Sequence, residues 1–186
     1  LKRNADVCVT SSNALKIVKA LPNKYIYFIP DKNLGRYVAE QVPEKEFIFN
    51  HGYCPVHAKL TKEQVLKAKE AHPNAVLLVH PECEKEVVEE AVYAGSTAGI
   101  IDYAGKSEKT EFIIGTELGV LYDLRKNNPD KKFYPLTETL ICSDMKKITL
   151  DKIIDSLEKN TFEVDLEEQF AKEAHAPLVR MLELAK

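Results

Sequence analysis

Short apolar runs alternate along the chain with segments whose apolar residues recur at helical spacing. "DVCVTSS" (6–12) reads as a strand ending in small polar residues, with a helix expected over 13–20. "KYIYFIP" (24–30) reads as a second strand, closing on Asp31, Lys32 and Asn33 ahead of a short helix near "GRYVAEQV". "EFIFN" (46–50) is a third strand. "TKEQVLKAKEAH" (61–72) predicts a helix with Thr61 as N-cap and Val65, Leu66 and Ala68 as its apolar face. "AVLLVHPE" (75–82) is a buried strand running into "CEKEVVEEAVYA", a helix expected to end at a Gly95 cap. "AGIIDYA" (98–104) reads as another strand, and "KTEFIIGTELG" (109–119) as a strand, a turn and a helix start. After Cys142 the pattern turns helical, over 149–159 and 165–185, with Pro177 kinking or dividing the second helix.

Strand–helix alternation of this kind implies parallel sheets with right-handed crossovers, hence α/β layers. "IYFIPDKN", "VLLVHPEC" and "FIIGTELG" repeat one unit: an apolar strand, a small residue or proline, then an acid. Open α/β sheets place their sites at such strand ends. The expected architecture is therefore a repeated αβα sandwich with polar strand ends.

Composition narrows the function classes. The 186 residues, 45% of them hydrophobic, suffice for one large domain or two small ones. Lys and Arg number 26 against 29 Asp and Glu, for a net charge of −3, which argues against a nucleic-acid partner. No run approaches the roughly 20 apolar residues that span a bilayer. "LKRNADVCVTSS" has no long apolar region, so a signal peptide is not expected and a cytoplasmic setting is. In that setting Cys8, Cys54, Cys83 and Cys142 are expected as free thiols or metal thiolates.

Several stretches carry candidate chemistry. "HGYCPVH" (51–57) sets Cys54 three residues before His57. That spacing fits half a zinc site, but no second Cys/His pair completes it, and no protease signature surrounds Cys54. A partly buried loop cysteine remains the plain alternative. In His80-Pro81-Glu82, at the end of an apolar strand, an imidazole and a carboxylate emerge that can both transfer protons near neutral pH. The alternative there is a turn in which Glu82 caps the next helix. "GSTAG" (95–99) offers Ser96 and Thr97 to an anionic oxygen, or is an ordinary loop. "VTSSN" (9–13) offers Thr10, Ser11 and Ser12 at a strand–helix turn, where one hydroxyl is accounted for as an N-cap. Cys8 reads as core and Cys83 as the first turn of a helix, while His72 and His175 have no evident partner.

Taken in order, "DVCVTSSNA", "PDKNLGRYVA", "GYCPVH", "HPEC", "GSTAGI", "FIIGTELG", "NPDKKF", "CSDMKKITL" and "VRMLEL" resemble the quinolinate synthase family across essentially the whole chain. The resemblance implies three similar αβα domains around a pseudo-threefold axis. Each domain would give one cysteine to a [4Fe–4S] cluster, leaving one iron open as a Lewis acid. Cys54 and Cys142 match two of these ligands; Cys8 and Cys83 match neither. The implied reaction condenses iminoaspartate with dihydroxyacetone phosphate to quinolinate in NAD biosynthesis, with a functional link to L-aspartate oxidase or aspartate dehydrogenase. Glu82 would be the acid/base, and His80 and His57 would bind or polarise substrate oxygens. Ser11, Ser96 and Thr97 would hold carboxylate or phosphate groups, with Pro81 lining the site and Lys106 assisting electrostatically.

On the same resemblance, residues 1–56 are the later part of the second domain and 57–142 the third. Residues 143–186 are C-terminal helices that would pack back on a first domain. That first domain and the third ligand cysteine are expected upstream of Leu1, so the chain alone is expected to be inactive. A non-catalytic α/β module that binds a small dicarboxylate or phosphate without metal is the competing expectation.

Overall fold

The computed structural model describes residues 2–186. The helices are α1 (Ala14–Ala20), α2 (Lys32–Ala39), α3 (Lys62–Ala71), α4 (Lys85–Val88), α5 (Thr97–Lys106), α6 (Val120–Asn127), α7 (Leu150–Lys159) and α8 (Glu168–Leu184). The strands are β1 (Tyr25–Phe28), β2 (Glu46–Phe49), β3 (Val76–Val79), β4 (Tyr93–Ala94), β5 (Glu111–Gly115) and β6 (Lys132–Pro135). The chain divides into two compact units, residues 21–141 and residues 1–20 with 142–186.

Residues 21–141 hold two parallel sheets, one of β1 and β2 and one in the order β4-β3-β5-β6. In β3 and β5, Leu78, Phe112 and Ile114 point to one face and pack on Ile100 and Ala104 of α5 and Leu121 and Leu124 of α6. Leu77, Val79 and Ile113 point to the other face and are just as buried. A sheet covered on both faces explains why these strands are apolar without alternation. The result is the expected α/β architecture of parallel sheets flanked by helices. In the smaller sheet Ile26 and Phe28 are buried while Tyr25 and Tyr27 are exposed. Asp31 caps α2, its carboxylate accepting from Leu34 N–H at 2.8 Å.

Several expected elements differ. Residues 98–104 are helical, within α5: Ser96 caps it, and Ile100 and Ala104, four apart, face the core. The helix expected over 83–94 is only α4, because Tyr93–Ala94 leaves it to pair with Leu78–Val79 as the sheet's edge strand. Gly95 therefore ends no helix, and no glycine among the described residues has a positive φ. On α3, Thr61 and Gln64 form a reciprocal capping box as the N-cap reading implied, and Val65 is buried; Leu66 is exposed and lies off the apolar face.

In the unit of residues 1–20 and 142–186, residues 6–10 form no strand; Cys8 is half-buried, and its N–H donates to the Pro177 carbonyl at 3.1 Å. Ala14, Ile17 and Val18 of α1 are buried. Pro177 lies inside α8 without ending it. Among the described residues no helix is long and apolar enough to cross a membrane.

Candidate functional site

The site is built on the C-terminal edge of the four-stranded sheet. His80 follows Val79, the last residue of β3, and Thr116 follows Gly115, the last of β5. These strands are neighbours in register, with Val79 opposite Gly115, so the two side chains emerge side by side, both buried. Ser96 follows the end of β4 along the same edge.

Cys54 and His57 arrive from the loop after β2. Lys32 N–H donates to the Gly52 carbonyl at 2.8 Å, and Asp31 Oδ2 accepts from Cys54 N–H at 2.7 Å. A β-carbon at position 52 would strike the Pro30 carbonyl oxygen, so glycine permits this close approach. Asp31 thus joins the α2 N-terminus to the cysteine loop with its two oxygens. Its carboxyl is raised above its ordinary value, chiefly by burial, against the backbone N–H of Leu34 that it accepts.

His57 is the hub. Its Nδ1 lies 3.2 Å from Cys54 Sγ and 3.0 Å from Glu82 Oε2, and its Nε2 lies 2.9 Å from Thr116 Oγ1. Its ring stacks on that of His80, with centroids 4.5 Å apart and planes 17° apart. His80 Nδ1 in turn accepts from Glu82 N–H at 3.3 Å. A neutral His80 in this arrangement carries its proton on Nε2.

The environment separates the two imidazoles. Burial works against charge on His57, but hydrogen bonds to Cys54 and Glu82 outweigh it and raise its pKa to about 9. Burial, then the charge of His57, lowers His80 to about 4. Burial would raise Glu82, yet its bond to His57 and the two imidazoles hold it below its ordinary value. At neutral pH the site therefore combines a carboxylate, an imidazolium and a neutral imidazole, which is the equipment of general acid–base chemistry. Cys54 Sγ, His57 Nδ1 and a Glu82 oxygen lie within 4.8 Å of one another, so the same groups can bind a metal.

The structure thus brings together Cys54, His57, His80 and Glu82, four residues singled out in the sequence. Ser96 is engaged in capping α5, accepting from Gly99 N–H at 3.1 Å, and Thr97 is exposed beside it. Lys106 ends α5 and pairs with Asp102 at 2.8 Å. Pro81 is buried. Cys83, just before α4, is buried; burial pushes its thiol up to about 12, and its Sγ lies 3.7 Å from the Gly115 carbonyl. His72, read as having no evident partner, stacks on Tyr134 with centroids 3.6 Å apart. Asp31 and Thr116 were not singled out as site residues, although both sit in the repeated acid-bearing strand ends "PDKN" and "GTELG".

Ser11 and Cys142 belong to the other unit. Ser11 is half-buried in the turn before α1, where Thr10 N–H donates to Asn13 Oδ1 at 2.7 Å and the Thr10 and Ser12 hydroxyls lie 2.8 Å apart. Cys142 is half-buried with a free thiol.

Residues 1–183 match the family model described as quinolinate synthetase A protein. The chain is 55% identical over its whole length to a protein named quinolinate synthase from Caldicellulosiruptor saccharolyticus, of which it covers 61%. It is 47% identical over 95% of its length to one from Thermodesulfovibrio yellowstonii, covering 58% of it. It is 46% identical over its whole length to one from Clostridioides difficile, again covering 61%. The chain therefore spans about three-fifths of these relatives' length.

Proposed function

The chain belongs to the quinolinate synthetase A protein family, and on that premise we propose that it forms part of a quinolinate synthase, condensing iminoaspartate with dihydroxyacetone phosphate in NAD biosynthesis in the cytoplasm. The observation that carries this reading is the His57 hub: a thiol, two imidazoles with opposite charge preference and a carboxylate gathered at one sheet edge. Ring closure with loss of phosphate and two waters needs repeated proton transfer between substrate carbon and oxygen. In this proposal the Glu82 carboxylate takes and returns the substrate proton. The His57 imidazolium donates to substrate oxygen, and the His80 Nε2–H orients a carbonyl or carboxylate. Ser96 and Thr97, with Ser11, hold carboxylate or phosphate oxygens, and Pro81 shapes the wall beside His80. L-Aspartate oxidase or aspartate dehydrogenase would supply the imine.

A [4Fe–4S] cluster is proposed as the cofactor, with Cys54 and Cys142 as two of its thiolate ligands. The donor set suits it: both thiols are free and half-buried, and thiolates are the ligands such clusters take. Cys83 is poorly suited, its thiol buried and held protonated. When bound, the group supplies a Lewis acid for substrate oxygens. We assign residues 1–56 and 57–142 to two αβα domains, and 143–186 to C-terminal helices. The presence of one parallel sheet in each of the first two ranges supports that division.

The test is anaerobic reconstitution with iron and sulfide of the protein at the length of its relatives. Cys54→Ala and Cys142→Ala are each expected to abolish cluster absorption and quinolinate formation. Retention of both by either variant would sink the assignment, and would favour a metal-free binding module. The 186-residue chain alone is expected to hold less than one cluster per chain and to be inactive.

A further inference from the structure

We propose that Asn33 is a positioning residue for Glu82, and that the first turn of α2 thereby brackets the cysteine loop and the His80-Pro81-Glu82 turn into one fixed unit. This role rests on the proton transfer given to Glu82 above and deepens it.

Asn33 is 4% exposed. Its Nδ2 donates to the Glu82 carbonyl at 3.0 Å and to Glu84 Oε1 at 3.3 Å. Both partners are acceptors, so the amide nitrogen of Asn33, and not its oxygen, faces the turn. The Glu82 main chain is held on its other side as well, where its N–H donates to His80 Nδ1 at 3.3 Å. With both backbone groups fixed, the Glu82 side chain leaves the turn in one direction, towards His57 Nδ1.

α2 is itself firmly seated. Leu34, Gly35 and Val38 are buried, and a β-carbon at Gly35 would lie 2.9 Å from the Phe28 ring, so the helix lies close on the smaller sheet. Farther along, Tyr37 Oη donates to the Ala94 carbonyl at 2.9 Å, at the end of β4, and Glu40 pairs with Lys85 at the start of α4. Asp31, at the head of the same turn, accepts from Cys54 N–H at 2.7 Å. Two residues apart, Asp31 and Asn33 thus reach the proposed cofactor ligand and the proposed acid–base, and set the spacing between them.

The test uses the protein at the length of its relatives, reconstituted with iron and sulfide. Asn33→Ala removes the amide and suits a helix; Asn33→Leu removes it and keeps the volume. In both, hydrogen exchange read by mass spectrometry should accelerate about tenfold over 80–84, as loss of one buried hydrogen bond implies, and stay parental over 34–39, where the Asp31 cap persists. Cluster absorption and KM should equal the parent's, while kcat falls by about 10–100-fold. With Glu82→Gln already in place no carboxylate is left to aim, so the same substitutions should lower kcat further by less than about threefold. Parental exchange over 80–84, a parental kcat, recovery of kcat in Asn33→Leu, or an equal fall beside Glu82→Gln would each overturn the proposal. Failure of the proposed function is told apart from these: it shows as a parent without cluster or quinolinate, or as Glu82→Gln at the parental rate, whatever happens at Asn33.

Discussion

His57 and His80 stack ring on ring, 4.5 Å between centroids, yet they hold protons with opposite tendencies, His57 raised to about 9 and His80 lowered to about 4. Two buried imidazoles this close cannot both be charged, and Cys54 Sγ together with the Glu82 carboxylate, both beside His57 Nδ1, favours the charge on His57. In the metal-free chain at pH 7, nitrogen-15 NMR should show a protonated His57 and a neutral His80 with its proton on Nε2. The stability consequences have opposite signs. His57 stabilises the fold below its ordinary 6.5, and this is lost as pH rises through about 9. His80 resists protonation, so it destabilises the fold as pH falls from 6.5 towards about 4. Glu82→Gln should lower the His57 pKa; an unchanged value would contradict this account of the pair.

Thr116→Val keeps the side-chain shape but removes the hydroxyl facing His57 Nε2. A buried imidazole nitrogen left without a partner costs about 1–3 kcal/mol. Denaturant unfolding should show a loss of that order, accompanied by a shift in the His57 titration. A change within error would mean that Thr116 does not hold the ring.

Asp31→Ala removes the N-cap of α2 and the acceptor for Cys54 N–H together. Loss of the cap and of a buried hydrogen bond predicts destabilisation of about 2–4 kcal/mol. Hydrogen exchange at the Cys54 amide should accelerate along with that at Leu34. Acceleration at Leu34 alone would show that Asp31 acts only as a cap.

Which features were legible follows from where their causes lie. The apolar runs of β3 and β5 are readable because the residues buried on both faces, 76–79 and 112–114, are all apolar. "AGIIDYA" reads as a strand from its paired isoleucines, but a cap at Ser96 and the four-residue spacing of Ile100 and Ala104 make it helical. Tyr93–Ala94 is a strand because Leu78 and Val79 need a neighbour, which is a tertiary cause. Cys54, His57, His80 and Glu82 stand out by residue type at strand ends. Thr116 and Asp31 act through partners 59 and 23 residues away, and no local pattern encodes those meetings.

Away from the site, Glu90 accepts from Lys62 at 2.8 Å and Lys69 at 2.7 Å, tying α3 to the turn after α4. Hydrogen bonds from these two lysines hold its carboxyl at about 2. A depressed carboxylate stabilises the fold above its ordinary 4.5, and this contribution is lost as pH falls through about 2. The melting temperature of Glu90→Gln should therefore fall below that of the parent at pH 6, and the gap should close towards pH 2. A gap independent of pH would show that packing, rather than charge, is what the substitution removes.

The central claim is that Glu82 moves protons at this sheet edge while Cys54 and Cys142 hold the cofactor. Its most direct test is single-turnover quinolinate formation by Glu82→Gln in the reconstituted protein at the length of its relatives. Loss of a positioned general acid–base predicts cluster absorption equal to the parent's with a rate lowered by about 10²–10⁴. A near-parental rate, or loss of the cluster with the carboxylate, would contradict it.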